Sequence, residues 1–219
     1  FYVLCLFILT ACNQTVVIEN GDLALAINDK MHLKLSSLAD GTAVYYDDFV
    51  PANYLVAREF TANEFKLSGM SEEKLSDKTV YTLSGNYRKD GYDIEQLLTI
   101  TAANAFPGML LLDVRYVNKG VQEATVTAWT SNELRMKNTN REEPVWSLQT
   151  SSTNARKDWI LPVSEGFYQK NYMGMNNSDY GGGIPVSDLW RKDGGFAVGL
   201  TEMTLKLVSL PVQMNRNED

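Results

Sequence analysis

The sequence predicts an all-β chain, a large antiparallel β-sandwich, on three observations. Apolar residues recur with a period of two along most of the chain, the pattern of strands with one face buried. No window carries a sustained apolar stripe at helical spacing, and no repeat of fixed period is visible, which disfavours bundles, solenoids and propellers. The periodic runs are divided by short Gly, Asn and Asp segments of the kind that close hairpins.

From Val16 onward, Leu23, Leu25 and Ile27 alternate with smaller or polar residues, and Met31, Leu33 and Leu35 alternate with His32 and Lys34. Asn28-Asp29-Lys30 supplies the turn between these strands and Asp40-Gly41 the next. Val80 to Tyr87 reads as a further strand. Tyr92 to Ala102 and Met109 to Val117 are longer, and Asn104-Ala105-Phe106-Pro107-Gly108 separates them as a hairpin loop. A turn at Asn118-Lys119-Gly120 leads into Val121 to Trp129. Lys137 to Lys157, with Asn138, Asn140 and Asn154, is polar and reads as a long excursion between strands.

Phe1 to Ala11 is apolar and ends in Leu9-Thr10-Ala11-Cys12; small residues directly before a cysteine form a bacterial lipoprotein cleavage signal. A transmembrane helix needs roughly 20 apolar residues, so this run suits a signal-peptide core, with Cys12 as the lipidated first residue of the mature chain. The chain has neither an initiator Met nor a basic stretch ahead of the apolar run and reads as clipped at its start. The competing reading is a buried first strand. Both cysteines, Cys5 and Cys12, lie in this segment, so the folded part is expected to carry no disulfide. A remainder of about 200 residues buries a sufficient core without one and fits one β-sandwich domain, residues 13–219. The expected location is exported and membrane-anchored, in the periplasm or at the outer membrane or cell surface.

The composition is globular, 44% hydrophobic and 21% charged, with a net charge of −7. That balance disfavours nucleic-acid binding, which needs a basic face. It offers no polybasic patch for anionic lipid either, so membrane attachment is expected only through the Cys12 anchor.

The most informative stretch runs from Asn171 to Val212. Gly181 to Gly183 allow the backbone conformations with φ > 0 and a close approach to another surface, which suits a shaped loop. Asn176, Asn177, Ser178, Asp179 and Tyr180 precede them, and Asp188-Leu189-Trp190-Arg191 follows. Lys192-Asp193-Gly194-Gly195 then supplies an Asp-Gly hairpin signal. Donors, acceptors and flat aromatic faces therefore gather in one span.

Tyr180-Gly-Gly-Gly-Ile-Pro-Val, Asp188-Leu-Trp-Arg and Lys206-Leu-Val-Ser-Leu-Pro-Val make Asp179 to Val212 resemble the end of the N-terminal β-sandwich domain of α-galactosidase-like enzymes, glycoside hydrolase family 36 and its relatives. The earlier chain matches only in its general all-β pattern. The resemblance implies a supersandwich of the galactose-mutarotase-like kind and an oligosaccharide or galactoside substrate. It also implies a catalytic (β/α)₈ barrel downstream that carries both catalytic aspartates, so no catalytic residue is expected in these 219 residues and the segment alone is expected to be inactive. The sandwich would support that barrel and reach over its mouth with a loop. Asp179 and Tyr180, then Trp190 and Arg191, are the positions nominated for substrate binding: a carboxylate accepts hydrogen bonds from sugar hydroxyls, and an aromatic face covers the C–H side of the ring. Each has a plainer reading. Trp190 can be core, Arg191 can pair with Asp188 or Asp193 at a turn, and Asp179 can cap its own loop.

Other chemistries have less material. With 27 acidic residues, adjacent pairs such as Asp47-Asp48, Glu72-Glu73 and Glu142-Glu143 are most simply solvated surface, since neighbours on a strand point to opposite faces. The glycine run lacks the Gly-Lys-Ser/Thr of a phosphate loop. His32 is the only histidine, which leaves little for a triad or a multi-histidine metal site, and its alternation places it on the outer face of a strand. No cofactor and no histidine- or cysteine-based metal site are expected from these residues, and an oxygen-only calcium site stays open. A free-standing carbohydrate-binding or structural surface lipoprotein is the alternative to the hydrolase accessory domain.

Overall fold

The computed structural model describes residues 15–39, 42–45, 48–136, 143–148, 159–173, 186–192, 194–201 and 208–214. Among them every regular element is a β-strand and every ladder is antiparallel, so the all-β class read from the periodicity holds. The chain divides into two compact units, Phe1–Arg135 and Met136–Asp219.

In the first unit, β1 (Val16–Asn20), β2 (Leu23–Ile27), β3 (Leu33–Ala39) and β4 (Thr42–Tyr45) form a meander in the order β1-β2-β3-β4. β5 (Tyr54–Ala57) and β6 (Thr61–Ala62) begin a second, smaller sheet. β7 (Lys66–Lys74), β8 (Lys78–Lys89), β9 (Tyr92–Ala103) and β10 (Leu111–Asn118) make a third, in the order β10-β9-β8-β7. β11 (Val126–Thr130) joins β5, giving the order β11-β5-β6.

Strand β9 shows how the pattern specifies the sandwich. Ile94, Gln96, Leu98, Ile100 and Ala102 are buried, and the residues between them are half exposed. Ile18, Leu25, Ile27 and Leu33 of the first sheet are likewise buried, as is Phe65 between the sheets. Its ring lies 5.8 Å from that of Tyr116 and 6.2 Å from that of Tyr87. Burying each such side chain contributes about 1.5–3 kcal/mol, and this is what holds the sheets of the unit together. One edge is tied by polar groups: the Asn20 side-chain amide donates to the carbonyl oxygens of Phe106 (3.0 Å) and Met109 (2.7 Å), and Gly108 N–H donates to Asn20 O at 2.8 Å. The 104–108 loop is the hairpin connection expected between β9 and β10, and these bonds clamp it to the end of β1.

In the second unit, β12 (Val145–Leu148), β13 (Ile160–Val163), β16 (Val186–Arg191) and β17 (Gly194–Gly199) form a sheet in the order β13-β12-β16-β17. Two short ladders pair β14 (Tyr168–Gln169) with β19 (Val212–Gln213) and β15 (Tyr172–Met173) with β18 (Val208–Ser209). Val145, Val163 and Val212 are the buried centre, with Met136, Phe167, Leu189 and Met214 packed against them.

Two expectations are corrected. The strand placed at Val121 to Trp129 begins only at Val126 and pairs with β5. Asn118 accepts Gly120 N–H and donates to Gln122 O, and Lys119 and Gly120 both donate to Asp93 O, so the turn runs on and leaves Val121 100% exposed. The polar run Lys137 to Lys157 is not wholly an excursion, because it contains β12, an interior strand of its sheet. The hairpin expected at Lys192 to Gly195 is present, since β16 and β17 pair antiparallel with Arg191 opposite Gly194. Asp40-Gly41, Cys5 and Cys12 lie outside the described residues.

Candidate functional site

Strand β16 carries Val186-Ser-Asp-Leu-Trp-Arg191, and its alternation sorts these residues between two faces. Ser187 is buried and Leu189 packs on the small core of the unit. Asp188 and Trp190 share the other face. Trp190 is directly opposite Trp146 on β12 and Gly195 on β17, so two tryptophans stand side by side with a glycine next to them. A Cβ at position 195 would come within 2.5 Å of Trp190 Cβ, so only glycine leaves room for the indole-bearing strand at this register.

Glu143, Pro144, Trp146, Trp190, Arg191 and Lys192 line an open cleft of about 330 Å³. Trp146 and Trp190 are both half-buried. The plainer reading of Trp190 as a core residue is therefore only partly met, since the residue is half-buried and also lines the cleft. The cleft offers apolar surface from the indoles and Pro144, donors from Arg191 and Lys192, and a carboxylate from Glu143. Apolar surface with a few polar groups beside it is the general make-up of small-molecule sites.

Asp188 serves the framework. Its Oδ1 accepts the N–H of Leu148 at 2.7 Å, and the Ser147 hydroxyl donates to its carbonyl oxygen. Burial pushes its carboxyl above the usual range, and the hydrogen bond from Leu148 N–H opposes that rise. These bonds lock β12 to β16 and so fix the spacing of the two tryptophans.

Asp179, Tyr180 and the triple glycine lie outside the described residues. Asn171 is buried, and its side-chain amide donates to Ser187 Oγ and to Leu210 O, both at 3.0 Å. Leu210 N–H donates back to Asn171 O at 3.0 Å. The chain thus enters and leaves the 174–185 segment at one polar knot at the base of the sheet that carries Trp190.

Of the four nominated binding positions, Trp190 and Arg191 come together at the cleft, and Trp146, Pro144, Glu143 and Lys192 join them unanticipated. Trp146 was legible in principle: Val145 and Ser147 alternate with it as buried residues, but the polar flanks of β12 masked so short a run. Elsewhere, Glu72 sits on β7 with its carboxylate 3.2 Å from Lys74 Nζ, in keeping with solvated surface. His32 is half-buried with Nε2 3.2 Å from Asn63 O. Among the described residues no group of three or more His, Cys, Asp or Glu is placed to hold a metal ion, and no helix is long and apolar enough to cross a membrane. No family model matches the chain, and no curated protein matches it.

Proposed function

We propose that this chain is the N-terminal accessory domain of an exported α-galactosidase-like glycoside hydrolase, which supports a catalytic barrel encoded downstream and contributes binding groups for an oligosaccharide or galactoside. The observation that carries the reading is the position of the Asp188-Leu-Trp-Arg motif: it follows the glycine-rich segment and puts Trp190 and Arg191 on a cleft beside Trp146. Indole faces suit the C–H side of a sugar ring, and guanidinium and ammonium groups donate to its hydroxyl oxygens. Lipidation at Cys12 would hold the protein at the membrane, and turnover would belong to the barrel.

The test is the gene downstream of Asp219. A product several hundred residues longer should hydrolyse an aryl α-galactoside, while residues 1–219 alone should not. A stop codon directly after Asp219 ends the proposal. The cleft lies wholly within residues 136–219, and that favours a second reading, a free-standing carbohydrate-binding lipoprotein. In that case the isolated chain would bind galactosides or oligosaccharides in calorimetry with no partner domain.

A further inference from the structure

Among the described residues, four buried side-chain atoms have no hydrogen-bond partner, and three of them, Asn53 Nδ2, Gln96 Oε1 and Asn132 Oδ1, belong to one connected network in the first unit. Gln96 is 0% exposed on the inner face of β9, and Asn53 is 2% exposed just ahead of β5. The Gln96 amide nitrogen donates to Asn53 O and to the Tyr116 hydroxyl, both at 3.2 Å. Asn53 Oδ1 in turn accepts the backbone N–H of Asn132 at 2.9 Å. Asn132 has φ 60, a left-handed conformation, at the point where the chain leaves β11.

These bonds fix the amide orientations of Gln96 and Asn53. Turning Gln96 over would set its oxygen against the Asn53 carbonyl, and turning Asn53 over would set its NH₂ against the Asn132 N–H. The orphaned Asn53 Nδ2 and Gln96 Oε1 are therefore a property of the fold and not of a choice between amide rotamers. With Asn132 Oδ1 they comprise one donor and two acceptors. Buried polar atoms in folded proteins are paired in the great majority of cases, and internal waters typically make about three hydrogen bonds to such atoms.

We infer that Asn53, Gln96 and Asn132 form a binding site for a single buried water molecule. Its oxygen accepts from Asn53 Nδ2, and its two hydrogens donate to Gln96 Oε1 and Asn132 Oδ1. A metal cation does not match the set, because an amide NH₂ presents hydrogen where a cation needs a lone pair. The water would fix the left-handed Asn132 turn against β5 and β9, next to the Glu133 N–H bond to Ala52 O at 2.9 Å, and so hold the segment that ends the first unit.

The test is water–amide cross-relaxation on the ¹⁵N-labelled full chain. The side-chain amides of Asn53 and Gln96 should show NOE peaks to water with the sign of a long-lived, bound molecule. Tyr116→Phe controls for relay through the exchanging hydroxyl, and the peaks should persist in it. Asn132→Gly keeps the positive φ and removes one acceptor, and it should weaken the peaks or reverse their sign as the residence time falls. Assigned amides without water peaks in the unmodified protein, or peaks that vanish in Tyr116→Phe, would overturn the site. Both results are read on chains with the central amides intact.

Discussion

Asn171 and Ser187, sixteen residues apart, meet in a buried hydrogen bond of 3.0 Å whose hydroxyl also reaches the Leu210 carbonyl at 3.3 Å. Asn171 and Ser187 are both buried, so truncating one leaves its partner unsatisfied, at about 1–3 kcal/mol per orphaned group. Asn171→Gly keeps the backbone conformation, since φ is 31 there, and isolates the loss of the amide. We expect it to lower unfolding free energy by roughly 1–3 kcal/mol in urea titrations and Ser187→Ala by about 1 kcal/mol. An unchanged midpoint for Asn171→Gly would mean that the knot contributes nothing.

A second prediction concerns the neighbour of Trp190. The Cβ added by Gly195→Ala would stand 2.5 Å from Trp190 Cβ and 2.6 Å from Leu189 O, contacts that backbone and indole cannot both tolerate. Overpacking of this kind typically costs about 1–3 kcal/mol. The variant should melt at lower temperature and shift the tryptophan emission, because the β16–β17 hairpin must open or Trp190 must move. A wild-type melting temperature and emission maximum would show that the strands have slack here.

How much of this was legible in the sequence depended on period and length. β8, β9 and β10 are long, and the apolar residues of β9 alternate cleanly, so their existence and the hairpin between β9 and β10 could be read directly. β7, Lys-Leu-Ser-Gly-Met-Ser-Glu-Glu-Lys, was silent because it is a polar strand at the edge of its sheet, paired only with β8. β12 was silent because four residues are too few to show a period. Of the site, Trp190 and Arg191 were visible in their motif, but Trp146 reaches them only through a strand pairing more than forty residues distant in sequence. Local pattern does not encode such a pairing.

Tyr116 supports a prediction about pH. Burial pushes its phenol from 10.0 up to about 12, with the hydrogen bond from Gln96 acting weakly the other way. The folded state therefore holds this proton more tightly than the unfolded state does. The stabilisation is complete below the unfolded value near 10 and is lost as pH rises from there through about 12. In an ultraviolet titration one of the 11 tyrosines should ionise last, near the alkaline unfolding transition, and Tyr116→Phe should remove that step and flatten stability between pH 10 and about 12. A titration in which Tyr116→Phe changes nothing would contradict the burial argument.

The last prediction divides binding from scaffolding at the glycine-rich stretch. If Trp190 lines a sugar site, Trp190→Ala should raise the galactoside Kd on the order of tenfold, since truncating a contact tryptophan commonly costs more than about 1 kcal/mol and about 1.4 kcal/mol is tenfold. Being half-buried beside Trp146, it should also lose some stability, so the informative partner is Asp179→Ala. If Asp179 reaches the ligand, that change should lower kcat/KM of the longer enzyme, or binding by the isolated chain, while leaving thermal unfolding nearly unchanged. If Asp179 caps its own turn, stability should fall by ~1 kcal/mol with binding intact. Weakened binding in both variants, with stability lost only in Trp190→Ala, is the outcome a sugar site requires. Intact binding in both would leave the cleft and the loop as framework.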